Sequence, residues 1–105
     1  MGGRITVVAE LQALRGLEDR LRTALEAMIE PSLGERGCLS YGVYADLNRP
    51  GRMTVVTEWS DAAALAAHEA GPHTRHLRQV LDRVLTDPAL VRRLVAAPEP
   101  DGASA

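Results

Sequence analysis

Between Arg4 and Leu94 the apolar residues change their spacing four times, and that succession limits the fold more than any single motif. Ile5, Val7, Ala9 and Leu11 alternate with Thr6, Val8, Glu10 and Gln12, as in a strand. From Leu17 the spacing turns helical. Leu17, Leu21, Ala24, Leu25, Met28 and Ile29 form one stripe and predict a helix to about Leu33, kinked or ended by Pro31. Cys38 to Trp59 alternates again on both sides of Asn48–Gly51, whose Asn-Arg-Pro-Gly supplies turn chemistry, so a hairpin is expected. Ser60 is the expected cap of the next helix, which Gly71 ends. Pro72 then opens another helix, running to about Leu85 on Leu77, Val80, Leu81 and Val84. Leu90, Val91, Leu94 and Val95 fit a helix or a strand, and we read a strand.

The order β-α-β-β-α-β is the ferredoxin-like plan of an α+β domain, with four antiparallel strands and helices on one face. We expect one domain over residues 1–97 and a flexible C-terminal tail over 98–105. Val8, Tyr44 and Val56 then fall on the face without helices. A second copy of the same sheet would cover them, so a homodimer through the sheet face is expected.

Composition removes several functions. The net charge of −2, 3% aromatic residues and absence of Phe argue against nucleic-acid binding, and the charge argues against an anionic membrane surface. All 12 basic residues are Arg, so no side-chain amine exists for Schiff-base chemistry. Cys38 is the sole cysteine, which rules out an intrachain disulfide and a thiolate zinc site. No apolar run is long enough to span a membrane, and no signal-peptide core is visible, so a cytoplasmic protein is expected. Gly2 and Thr6 match a myristoylation pattern, but a strand from Ile5 would hold any lipid tightly against the fold. No glycine-rich nucleotide loop, P-loop or cysteine set marks a cofactor, and none is expected.

All three histidines lie between Ala66 and Leu77. His73 and His76 have a metal-compatible spacing, but only Glu69 and Asp82 are acidic nearby in sequence, and no metal site is expected. His68 follows Leu65 by three, on the packed side of its helix. It is either a pocket base or a histidine satisfied at a helix end. His73 lines a pocket mouth or caps the turn after Pro72, and His76 reads as solvated. Trp59 shares its strand face with Val55 and Thr57, and Tyr41 goes with Leu39 and Val43 on the pocket side. Glu10 and Glu58 fall on the opposite face, where pairing with an Arg across the dimer is expected rather than a catalytic carboxylate pair. Cys38 reads as packed.

Glu35, Gly37, Cys38, Tyr41 and Tyr44, then Glu58 and Trp59, then His68 and Pro72 stand in an order that resembles the antibiotic biosynthesis monooxygenase family. The likeness spans about residues 4 to 96. It implies a dimeric α/β barrel that oxidises a phenol, hydroquinone or anthrone with O2, using no metal, flavin or haem. It further implies His68 as base, with Trp59 and Tyr41 positioning a small aromatic substrate. Val55, Thr57, Leu65 and His73 are the expected lining of its pocket, with room provided by the alanines of residues 62–70. Two other functions fit the same residues. One is a non-catalytic dimeric small-molecule-binding module, and the other is a polyketide cyclase or isomerase using the same base without O2.

Overall fold

A computed structural model describes residues 3–98; the lipidation pattern at Gly2 and all of the expected tail after Pro98 fall outside them. β1 (Ile5–Gln12), β2 (Cys38–Ala45), β3 (Arg52–Trp59) and β4 (Leu90–Leu94) form one antiparallel sheet in the order β2-β3-β1-β4. α1 (Glu18–Glu26) and α2 (Ile29–Leu33) fill the first crossover, and α3 (Ala62–Ala70) and α4 (Pro72–Val84) the second. This is the expected ferredoxin-like α+β plan. The last segment is strand because β1 offers it a partner: Val7 pairs with Arg93 and Ala9 with Val91. Those pairings satisfy backbone groups on both strands. Among the described residues, no helix is long and apolar enough to cross a membrane.

Alternation decides what the sheet buries. Met53, Val55, Thr57 and Trp59 are buried, and the residues between them are only half-buried. Leu21 and Leu25, one helical turn apart on α1, pack with Leu11, Val55 and Val84 in the main core. Each such leucine contributes about 1.5–3 kcal/mol by leaving water.

Three local expectations change. The helix expected over 17–33 is two helices, and the break falls at Ala27–Met28, before Pro31 rather than at it. Pro31 has no N–H for the Ala27 carbonyl and its ring crowds that oxygen, so α1 stops and α2 restarts with Pro31 in its first turn. The cap of α3 is Asp61 rather than Ser60, since Asp61 Oδ1 accepts the Ala64 N–H at 2.8 Å. The Ser60 backbone still belongs to the sheet side, donating its N–H to the Gly37 carbonyl at 2.8 Å. Glu10 finds its arginines within its own chain: Arg52 at 3.9 Å and Arg92 at 3.7 Å. Both lie diagonally across the neighbouring strands on the same face. Glu58 accepts from the Ser40 hydroxyl at 2.9 Å.

Candidate active site

His68 lies in the last turn of α3 and His73 in the first turn of α4. On one continuous helix, residues five apart would point about 140° away from each other. Gly71 prevents this. Its backbone is extended, with φ −73° and ψ 162°, and Pro72 starts α4 in a new direction. The turn brings both imidazoles to one carboxylate, that of Glu35. Glu35 is fixed on the turn before β2, where its N–H donates to the Ser32 carbonyl and its own carbonyl accepts from Cys38. Gly37, at φ +82°, completes that turn. A Cβ there would stand 2.4 Å from the Ala64 Cβ, so only glycine lets this turn lie against α3.

His68 Nδ1 is 2.6 Å from Glu35 Oε1. A carboxylate only accepts, so Nδ1 carries the hydrogen, and in the neutral imidazole Nε2 then keeps the lone pair. The Thr74 hydroxyl stands 3.4 Å from Nε2 and is placed to donate to it. His73 Nε2 lies 2.7 Å from Glu35 Oε2. That approach is off the line of an N–H donor, which leaves this buried nitrogen without an aligned hydrogen bond. The side chains of His68, Glu35 and His73 are only 11%, 21% and 30% exposed, so their interactions are weakly screened.

A cavity of about 230 Å³ lies between the sheet and the second helix pair. Tyr41, Val55, Thr57, Leu65, His68 and Thr74 line it, together with Leu77, Leu81 and others. Five of the seven expected site residues therefore meet around one space. The room does not come from the alanines of α3, of which only Ala64 is not exposed. It comes from small residues on the sheet side, Ala9 and Ala89, which do line the cavity. Burial pushes the Tyr41 phenol up to about 12, with the neighbouring Cys38 and Glu35 adding to it. Tyr41 is therefore a neutral donor at neutral pH. Burial, then Glu35, also pushes the Cys38 thiol up, against a backbone hydrogen bond from Ser40 that lowers it. Cys38 is thus a partly buried thiol that keeps its hydrogen at neutral pH.

The other two expected residues stand elsewhere. Trp59 is fully buried outside the cavity lining, and its indole N–H already donates to Thr57 Oγ1 at 2.9 Å. Its ring centre is 4.4 Å from that of His68, so it backs the imidazole rather than touching a ligand. His73 lines a separate cleft of about 170 Å³ with Ala24, Met28 and His76. It is tied to His68 by their shared Glu35 carboxylate, with the two ring centres 6.1 Å apart. An open groove of about 580 Å³ between α1 and α4 is larger, but His68 is absent from its walls, which carry Asp19, Arg20, His76 and Arg83.

Two residues of the site were missed as such. Thr74 is the one polar residue buried on the α4 stripe three before Leu77, a position that invites a partner. Glu35 meets His68 across 33 residues, and no local spacing announces that contact. The Glu35, His68 and His73 ligand atoms all lie within 4.8 Å of one another. The expectation of no metal site counted only acids near the histidines in sequence, and the fold supplies this one from afar.

Three comparisons bear on the chain. A family profile described as antibiotic biosynthesis monooxygenase matches residues 4–80. The Mycobacterium tuberculosis protein Rv0793, provisionally named as a monooxygenase, is 29% identical over 99 residues, covering 94% of this chain and 97% of its own length. Its solved structure superposes with a TM-score of 0.86 over 92% of this chain and 98% of that one. PA3566 from Pseudomonas aeruginosa is 26% identical, with a TM-score of 0.85 over 93% of this chain and 98% of its own. A Deinococcus radiodurans structure, provisionally described as an antibiotic biosynthesis monooxygenase, is 25% identical, with a TM-score of 0.83 over 90% and 93% of the two chains.

Proposed function

The chain belongs to the antibiotic biosynthesis monooxygenase family, and from that premise we propose that it oxidises a small phenol or hydroquinone with O2 without a bound cofactor. One observation carries the proposal. His68 turns Nε2 to a largely apolar cavity, where a substrate hydroxyl can replace the long 3.4 Å contact from Thr74, while a half-buried carboxylate holds its Nδ1–H. An imidazole so oriented takes a phenolic proton, and Glu35 stabilises the resulting imidazolium. The phenolate is electron-rich enough to give O2 one electron. Recombination forms a peroxide on carbon. Loss of water from it leaves a carbonyl, so one oxygen atom enters the substrate and the other leaves as water. The neutral Tyr41 hydroxyl is suited to donate to the developing oxyanion. Val55, Thr57 and Leu65 shape the cavity, and Trp59 holds the imidazole from behind. A volume below the roughly 300–1,000 Å³ of drug-sized pockets favours one or two rings over a three-ring anthrone.

The open sheet face supports a homodimer as the working form. Tyr44, Leu90 and Leu94 project from it 58%, 59% and 45% exposed, an apolar surface that a second copy would cover. The test is oxygen uptake by metal-stripped protein with a panel of hydroquinones and anthrones, beside His68→Ala. Uptake that falls in the variant supports the assignment. Full turnover in His68→Ala removes His68 as base. Ligand binding without uptake by the wild type would favour the binding module.

A further inference from the structure

We propose that Glu35, His68 and His73 bind one divalent cation of the zinc class, and that this ion switches the His68 base off. The cation site stands on geometry alone; its consequence for the base rests on the role of His68 given above.

Two imidazole nitrogens and one carboxylate are a donor set for zinc, copper or nickel rather than for magnesium or calcium, which take oxygen ligands. The carboxylate already stands between the two nitrogens, at 2.6 and 2.7 Å. Ligands around a tetrahedral zinc at its usual bond lengths lie roughly 3.3 Å apart. The two N···O separations must open by less than an ångström, and the two imidazole nitrogens, within 4.8 Å of each other, must converge on the same ion. The chain holds the three residues in place by the Gly71 break and the turn before β2, and Trp59 and Thr74 back His68. His73 Nε2 supplies the independent sign of a ligand. The nitrogen itself is shielded from solvent although the side chain is 30% exposed, and it faces the Glu35 carboxylate at 2.7 Å without an aligned hydrogen bond.

The switch follows from the chemistry of a neutral imidazole, which carries one hydrogen on one of its two nitrogens. Without the ion, Glu35 keeps that hydrogen on Nδ1 and the lone pair on Nε2, towards the cavity. A cation on Nδ1 needs the lone pair there, so the hydrogen moves to Nε2. The group facing the substrate then donates instead of accepting, and Glu35 is engaged by the metal. Proton abstraction by His68 stops although nothing enters the cavity.

The test titrates the metal-stripped full chain with Zn2+ by calorimetry and with Co2+ by visible absorption. We expect one ion per chain and the Co2+ bands of a four- or five-coordinate site. Glu35→Gln and His73→Ala should each weaken Zn2+ binding at least about tenfold. His76→Ala should not, which separates this site from a chance His73–His76 pair. Imidazole nitrogen NMR of the wild type needs no variant. Added Zn2+ should shift His68 and His73 but not His76, and place a hydrogen on His68 Nε2. No Zn2+ binding up to about 1 mM, binding that survives both ligand substitutions, or binding that follows His76 would each overturn the site. Binding that leaves His68 Nε2 without a hydrogen would overturn the switch. These readouts use neither substrate nor O2, so a chain without oxygen uptake can still pass them, and an active one can still fail.

Discussion

The two ends of the helical layer use one sheet in opposite ways. At the α1 end, Leu21 and Leu25 are 0% and 1% exposed and pack with apolar partners such as Leu11, Met53 and Val84. At the α3–α4 corner Trp59 is equally buried, yet it lies against His68, which is tied to Glu35 and Thr74. The first end gains its full transfer free energy from water. The second gives part of that gain up by desolvating a carboxylate and two imidazoles. A fold needs the first arrangement. The second is explained by what its groups can do, so stability and activity should be separable by substitution.

His68→Ala tests the separation most severely. Oxygen uptake should fall by about 10²–10⁴-fold, while urea unfolding moves little. Leu21→Ala should do the reverse. It costs about 2–5 kcal/mol of stability by opening a cavity, seen as a lower urea midpoint, with turnover per folded molecule retained. Unfolding in the first variant and inactivity in a folded form of the second would break the comparison.

Tyr41 sharpens it, because it faces the cavity from the sheet. Its phenol is pushed up to about 12 by burial, so the folded chain holds that hydrogen more tightly than the unfolded chain. The penalty is absent below the ordinary tyrosine value near 10. Stability is then lost as pH rises from about 10 to about 12, by about 2–3 kcal/mol in all. Absorbance at the phenolate wavelength in a Tyr44→Phe background reports Tyr41 alone, and unfolding across the same pH range reports the linkage. Titration near 10 would mean that solvent reaches the ring, which removes Tyr41 as a donor in an enclosed site.

Glu35→Gln should act more mildly. The amide oxygen can still accept from His68 Nδ1, but a charge-assisted hydrogen bond becomes a neutral one, a difference of about 1–1.5 kcal/mol. We expect kcat to fall roughly tenfold with KM little changed, and the base to be restored in Glu35→Asp if the shorter arm reaches. A fall in KM alone would place Glu35 outside the proton transfer.

The strands were legible because their alternation is strict. Met53 to Trp59 reads buried and half-buried in turn, as its pattern implies. That same alternation placed Tyr41, Val55 and Thr57 on one side. His68 followed from the spacing to Leu65. What sequence could not give was direction after Gly71, since a helix break sets no angle by itself, and so the meeting of His68 with His73 was hidden. Glu35 was hidden for a related reason. Its position depends on the turn at Gly37 touching Ala64, a contact made only after the sheet and α3 have packed. Trp59 was placed on the right face, but its indole N–H was already committed to Thr57 two residues away. That local hydrogen bond competes with any ligand, and alternation alone cannot reveal it.

The smallest effect belongs to the boundary of the polar corner. Arg93 on β4 meets Glu69 on α3 at 2.6 Å, and Glu69 lines the His68 cavity. Their side chains are 58% and 33% exposed, so water and salt screen the pair. Arg93→Ala should cost less than about 1 kcal/mol, and high salt should shrink even that. The pair closes nothing essential to the fold, because β4 is already held by its backbone ladder to β1. Its place beside the cavity predicts a change in KM without a change in kcat, since Glu69 lines the cavity and makes no hydrogen bond to His68. A loss of kcat approaching that of His68→Ala would show that the chemistry extends to the β4 edge, and that the polar corner is larger than the Glu35–His68–His73 cluster.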